Sequence, residues 1–144
     1  MRNCVLTLIL FLAALNCMAQ SKKDKDQIYA ILNHQVDDWN NGRIDSFMKA
    51  YWESDSLMFV GKIGVTYGYK GTYENYLKRY PDREKMGKLK FEYLNFSFPA
   101  ANTAFIVGKF HLTRPKIGDT EGFYTLLWRK IKGKWVIVCD HTSS

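Results

Sequence analysis

The sequence predicts an α+β domain in which three helices near the amino terminus pack on a strongly curved antiparallel sheet. A change of hydrophobic period indicates this class: apolar residues recur every three or four positions early in the chain and every second position from about Lys88 onward. With 47% apolar and 15% aromatic residues, the chain can build a core and is neither disordered nor collagen-like. A length of 144 residues fits one domain.

The start of the chain has the features of a secretory signal. A positive Met1-Arg2-Asn3 start precedes an apolar run over residues 5–15, which is too short to span a bilayer as a mature helix. Small residues before and at Ala19 suit cleavage there. We therefore expect a signal peptide over residues 1–19 and a single secreted or periplasmic domain over residues 20–144. Lipid attachment at Cys17 is the alternative, although Asn16 is not the small residue expected before it.

Cysteine and charge content narrow the function classes. Cys139 is the one cysteine left after cleavage, so no internal disulfide is expected. The formal charge of +7 allows anionic partners. The basic residues are dispersed, however, and no recognition helix or basic aromatic motif is present, so we expect no nucleic-acid binding. The histidines lie in separate elements without metal-ligand spacing, so neither a metal nor a cofactor is expected.

Three helices follow from the apolar spacing. The first covers residues 24–40, where the apolar stripe ends at Trp39 and Asn40-Asn41-Gly42 terminates the helix. A second, short helix is capped near Asp45 and runs to Tyr51. Thr72 is expected to cap a third, which Pro81 closes.

The remaining apolar runs predict strands. Residues 57–60 form a continuous apolar run, and a short strand follows among the glycines between 61 and 71. Four longer strands with period two cover residues 90–98, 103–113, 122–130 and 134–142. Their short connections favour antiparallel pairing. A sheet of this kind that curls around the helices leaves a conical hollow, where small ligands usually bind.

Residues 123–143 resemble the last hairpin of the nuclear transport factor two-like superfamily, and more narrowly that of the SnoaL-like proteins and of the calcium/calmodulin-dependent kinase association domain. The matching positions are Trp128, Gly133, Lys134, Trp135, His141 and Ser143. The Asp38-Trp39-Asn40-x-Gly42, Gly68-x-x-Gly71 and Ala104-x-x-Val107-Gly108 stretches are also similar. The resemblance implies a cone-shaped fold, a pocket between sheet and helices, and a homodimer formed through the sheet. It implies no single chemistry, because the superfamily includes isomerases, dehydratases, cyclases and members that only bind or assemble.

Asp140 and His141 are the candidate catalytic residues of the last strand, together with Tyr124 on the strand before. Neighbours on a strand point to opposite faces, so only one of the two can enter the hollow. A three-residue loop Ile131-Lys132-Gly133 sets Asp140 opposite Tyr124, whereas a two-residue turn sets His141 there. Gly133 favours the three-residue loop, with Asp140 inside and His141 on the outer surface.

An acid inside such a hollow has a raised pKa and suits proton transfer near neutrality, with a tyrosine as donor. The expected ligand-binding residues are Trp39, Tyr51, Tyr67, Tyr69, Leu126, Trp128 and Thr142. The leading hypothesis is an exported domain that binds a small apolar or carbonyl compound and transfers a proton on it, as an isomerase, dehydratase or cyclase does. A structural Asp140, and a non-catalytic dimerisation or assembly module, remain the alternatives, so the sequence leaves enzyme activity open.

Overall fold

The computed structural model describes residues 22–143, so the expected signal peptide and Cys17 lie outside the described residues. Helix α1 occupies residues 22–40. The elements that follow it are α2 (Ile44–Met48), β1 (Met58–Gly61), β2 (Gly64–Tyr67), α3 (Tyr69–Arg79), α4 (Arg83–Met86), β3 (Lys88–Ala100), β4 (Thr103–Thr113), β5 (Thr120–Ile131) and β6 (Lys134–Ser143). No helix in residues 22–143 is long and apolar enough to cross a membrane.

The six strands form one curved, unclosed sheet in the order β2-β1-β6-β5-β4-β3. All neighbours pair antiparallel except β1 and β6, which pair parallel. The helices cover the concave face, and this confirms the predicted α+β class. Because β1 returns beside β6, strand β6 is paired on both sides, as β5 is between β6 and β4.

Helix α1 buries the stripe that its spacing predicted. Ile28, Leu32 and Trp39 are almost fully buried. Two side chains then tie this helix to its neighbours: the Gln35 amide donates to the Phe47 carbonyl at 3.1 Å, and the Trp39 indole donates to the Met86 carbonyl at 3.1 Å. The helical layer is therefore held together by buried side-chain bonds to backbone as well as by apolar contact.

The helices after α1 differ from the prediction. Helix α2 begins at Ile44, with Arg43 rather than Asp45 at its N-cap, and ends at Met48, before it reaches Tyr51.

Helix α3 begins at Tyr69 rather than after Thr72, because Gly68 turns the chain there with φ of 83°. The Thr72 hydroxyl donates to the Gly68 carbonyl at 2.9 Å instead of capping the helix. The short α4, which begins at Arg83, is not among the predicted helices; its N-cap is Asp82, whose carboxylate accepts from the Lys85 amide at 2.8 Å.

The last hairpin does not have the expected three-residue loop. Ile131 pairs with Lys134 across a two-residue turn. Lys132 and Gly133 occupy that turn with φ of 49° and 78°, and positive φ at both positions is the requirement of a type I′ turn. The predicted pairing of Lys130 with Lys134 is therefore wrong.

A β-bulge at Val138 then restores the expected placement of Asp140. Trp128 pairs with Ile137, but Leu127 pairs with Cys139, so Val138 has no partner on β5. The extra residue reverses the alternation: Trp135 and Ile137 face inward before the bulge, and Asp140 faces inward after it.

The register after the bulge differs from the predicted one as well. Asp140 lies opposite Leu126, and Thr142 lies opposite Tyr124. His141 is exposed on the convex face.

A buried ion pair joins α1 to the last hairpin. The Lys130 ammonium lies 2.6 Å from the Asp24 carboxylate, which also accepts from the Trp135 indole at 3.1 Å. Asp24 is 2% exposed. This end of the domain is filled by fully buried side chains, among them Trp128 and Ile106.

Candidate functional site

A cavity of about 70 Å³ lies between the concave face of the sheet and the helices. Its lining is mostly aromatic and aliphatic: Gln35, Trp39, Phe47, Tyr51, Phe59, Tyr76, Leu89, Phe91, Phe110, Leu112, Tyr124, Leu126, Ile137, Asp140 and Thr142. One water needs roughly 10–15 Å³ of such a cavity, so the cavity holds roughly five water-sized groups. Phe59, Tyr76, Phe91 and Phe110 are half-buried and mark its mouth.

Asp140 is the polar centre of this cavity. Its carboxylate accepts from the Tyr51 hydroxyl at 2.7 Å and from the Thr142 hydroxyl at 2.8 Å. The Tyr51 and Tyr76 hydroxyls lie 3.1 Å apart. Because Tyr51 gives its one proton to Asp140, Tyr76 must donate to Tyr51. Three hydroxyls thus form a directed network that ends on one carboxylate.

Burial dominates the electrostatics of this network. It raises the pKa of Asp140 from an ordinary 3.8 to about 6, although the hydrogen bonds from Tyr51 and Thr142 work in the opposite direction. Burial, and then the nearby Asp140 carboxylate, also hold the pKa values of Tyr51 and Tyr76 well above their ordinary value. The tyrosines therefore stay protonated while Asp140 titrates near neutrality.

Tyr124 presents a buried hydroxyl without a hydrogen-bond partner among the described residues. The ring packs on Phe91 with centroids 5.1 Å apart, and its hydroxyl end lies over Gly108 of β4. A Cβ at Gly108 would overlap that hydroxyl, so glycine is needed at this position. Burial also raises the pKa of Tyr124, which remains a neutral donor.

The structure brings together six of the residues expected at the site. Trp39, Tyr51, Leu126 and Thr142 line the cavity with Asp140 and Tyr124. The exposed His141 points to the convex face, because the bulge at Val138 fixes the alternation, and it does not line the cavity.

Three expected ligand-binding residues lie elsewhere. Tyr67 is 67% exposed on the edge strand β2. Tyr69 stacks on Tyr73 outside the cavity, with ring centroids 6.4 Å apart. Trp128 is fully buried in the core beyond the lining. The sequence showed that these residues are aromatic but not how far each lies from the mouth.

The lining also contains residues that the sequence did not single out. Tyr76 lies on the apolar face of α3, and Phe91 and Phe110 occupy inward positions of period-two strands, so each carried a weak signal. Phe47 and Phe59 come from the two shortest elements of the site, where too few residues exist to define a period.

We expect the free energy of unfolding to fall as pH rises, because the buried Asp140 then ionises. Between pH 4 and pH 6 the folded state holds a proton on Asp140 that the unfolded state has lost, so the free energy of unfolding falls with pH. A rise from 3.8 to about 6 corresponds to about 3 kcal/mol at pH 7. Urea unfolding from pH 4 to 7 measures the free energy of unfolding. The difference between wild type and Asp140→Asn isolates the contribution of Asp140 to its pH dependence. A difference that is independent of pH would contradict the raised pKa.

No three His, Cys, Asp or Glu side chains within residues 22–143 are arranged to hold a metal ion. His111 instead bridges two exposed carboxylates, with Asp119 3.0 Å from one ring nitrogen and Glu121 3.3 Å from the other. This cluster closes the turn between β4 and β5 on the surface, away from the cavity.

No protein-family model and no curated protein matches the chain. Among solved structures, an NTF2-like protein of unknown function from Shewanella oneidensis is 36% identical, with a TM-score of 0.80 over 84% of this chain and 99% of that one. The chain belongs to the NTF2-like superfamily. The resemblance drawn from the last hairpin is confirmed at this level.

Two more distant structures share the NTF2-like fold. A ketosteroid isomerase-like protein from Erwinia carotovora atroseptica is 19% identical, with a TM-score of 0.63 over 82% of this chain and 93% of that one. An NTF2-like superfamily protein from Salmonella enterica is 18% identical, with a TM-score of 0.68 over 86% of this chain and 92% of that one. At these identities the likeness concerns the fold alone.

Proposed function

We propose that this NTF2-like protein binds a small carbonyl compound in the Asp140 cavity and transfers a proton at the carbon beside the carbonyl. Such a step belongs to a reaction of the isomerase, dehydratase or cyclase type. The observation that carries the proposal is a fully buried acid, with its pKa raised to about 6, in a cavity lined by aromatic rings.

The directed hydroxyl network assigns the roles. Asp140 accepts hydrogen bonds from the Tyr51 and Thr142 hydroxyls and offers its remaining lone pairs to the ligand as a base. Those two hydroxyls are already engaged, so Tyr124 is the lining tyrosine left to donate to a carbonyl oxygen. Asp140 takes the proton from carbon, the electron pair moves onto the carbonyl oxygen, and Tyr124 stabilises the resulting enolate. Return of the proton to carbon completes the step.

The test needs no knowledge of the natural substrate. In D₂O we expect the protein to exchange the α-protons of butanone for deuterium faster than buffer alone does. Proton NMR measures the rate of this exchange. Tyr124→Phe should slow the exchange about 100-fold, because it removes one donor from the developing oxyanion. Tyr67→Phe alters an exposed tyrosine outside the cavity and serves as the matched control. Equal rates for Tyr124→Phe and wild type would contradict the assignment.

We also propose a homodimer formed through the convex face of the sheet. One row of register partners crosses that face from Met58 through Cys139 and Leu127 to Phe105. Its side chains are apolar, which is unusual for a sheet face left to water. This apolar row also supports the second candidate function, a dimerisation or assembly module that turns over no ligand.

Leu127→Asp is expected to convert the dimer into monomers, because a carboxylate would then lie in the centre of the apolar row. Size-exclusion chromatography with light scattering measures the mass. Asn102→Asp, in the exposed turn between β3 and β4, is the control for an added negative charge. A wild-type monomer at micromolar concentration would contradict the proposed dimer.

Export stays part of the proposal on sequence grounds alone. Residues 1–19 carry the signal-peptide features, and a secreted or periplasmic location follows from them. The narrower SnoaL-like assignment likewise rests on the hairpin motifs.

A further inference from the structure

The helix side of the cavity is closed by rings packed against one another. Tyr76 lies 5.4 Å from Phe47, 5.8 Å from Phe59 and 6.2 Å from Trp39, measured between ring centroids. Its hydroxyl is also fixed by Tyr51. A ring held on several sides and by a hydrogen bond resists displacement. The ligand volume is therefore limited on this side.

The sheet side is limited by Phe110. This residue pairs with Phe91 on β3 and with Gly122 on β5. A Cβ at Gly122 would come within 2.9 Å of the Phe110 ring, so the ring lies over the glycine and extends across the sheet at the mouth. Phe110 makes no hydrogen bond to the Asp140 network and can be altered independently of it.

The charge of the lining is equally restrictive. Asp140 is the one Asp or Glu among the lining residues, which include no Lys, Arg or His. A ligand carboxylate or phosphate beside Asp140 would place two negative charges together in a region of low dielectric, without a compensating cation. An uncharged ligand avoids this cost.

We infer that the cavity selects short, uncharged carbonyl compounds of roughly five non-hydrogen atoms, with Tyr76 and Phe110 as the residues that set the size limit. The inference rests on the proposed function and specifies its substrate class. It excludes fused-ring ketones on volume and keto acids on charge.

Three ketones test the selection by α-proton exchange in D₂O. Butanone is short and neutral, 2-oxobutanoate is short and anionic, and 2-decalone is neutral but a fused bicycle. Wild-type protein should exchange butanone at least about tenfold faster than either of the others, after correction for the rates in buffer. Exchange of 2-decalone or of 2-oxobutanoate as fast as butanone overturns the size limit or the charge limit, respectively.

Variants of the two limiting residues test the size assignment. Tyr76→Ala and Phe110→Ala should each raise the ratio of 2-decalone to butanone exchange about tenfold. Tyr76→Phe keeps the ring and should keep the wild-type ratio, which separates volume from the lost hydroxyl. Phe110→Ala does not touch the Asp140 network and keeps the test valid if Tyr76→Ala fails to fold. If the ratio of 2-decalone to butanone exchange is unchanged in Phe110→Ala, Phe110 does not set the size limit.

Failure of the substrate class and failure of the proposed reaction give different results. If no ketone is exchanged, the proposed proton transfer is wrong, and saturation-transfer NMR then ranks binding of the same three probes. Selective binding of butanone would still support the size and charge limits. Equal binding of all three, or binding of none, overturns them.

Discussion

Replacing Asp140 by Asn is expected to slow α-proton exchange on butanone about 1,000-fold while making the protein more stable at pH 7. The loss of rate follows because the amide cannot act as a base, and a positioned general base contributes about 100- to 10,000-fold. The gain in stability follows because ionising a buried carboxylate whose pKa is raised to about 6 costs the folded state about 3 kcal/mol at pH 7. The amide avoids that cost.

The gain in stability will be smaller than the full ionisation cost. Tyr51 and Thr142 both donate to Asp140, and an amide nitrogen cannot accept either bond. Losing one acceptor costs about 1 kcal/mol, which leaves a net gain of about 1–2 kcal/mol by urea unfolding. Asp26→Asn, at an exposed carboxylate of α1, is the control for loss of a negative charge. A stability loss together with unchanged exchange would establish a structural role for Asp140 instead.

Asp24→Ala is expected to lower the free energy of unfolding by about 3 kcal/mol. The substitution removes a 2.6 Å ion pair with Lys130 and the acceptor of the Trp135 indole, at a position that is 2% exposed. Breaking a buried pair by removing one partner typically costs about 3–5 kcal/mol. The lower end applies because Lys130 is partly exposed and recovers some hydration.

Asp26→Ala is the matched control, because it removes an exposed carboxylate from the same helix two residues away. It should change stability by less than about 0.5 kcal/mol. Thermal and urea unfolding of both variants give the comparison. Equal losses in the two would mean that the lost negative charge near the amino-terminal end of the helix, rather than the buried pair, determines the effect.

The sequence predicted the elements whose periodic pattern is long. Helix α1 and strands β3 to β6 span ten residues or more, so the apolar spacing shows both type and position. Helix α4 has four residues and one buried side chain, Met86, which is too little to produce a period. The start of α3 was misplaced because Thr72 resembles a cap, whereas its hydroxyl bonds back to Gly68 within the helix.

The site could be predicted only in part, because its contacts join distant positions. Tyr51 and Asp140 are 89 residues apart, and their hydrogen bond requires α2, β1 and β6 to meet correctly. The bulge at Val138 has no sequence signal, since neither glycine nor proline marks it. The expected hairpin loop was wrong by one residue and the bulge added one, so the two offsets together left Asp140 on the inner face.

That bulge divides β6 into two segments with opposite phases of alternation. The segment before Val138 supplies Trp135 to the closed end of the cone and the apolar Ile137 to the cavity wall, and the segment after it supplies the polar Asp140 and Thr142 to the cavity. Substitutions in one segment therefore leave the inward positions of the other unchanged. The strand combines an apolar half that packs the core with a half that carries the polar groups of the site, which is the separation that a redesigned active site requires.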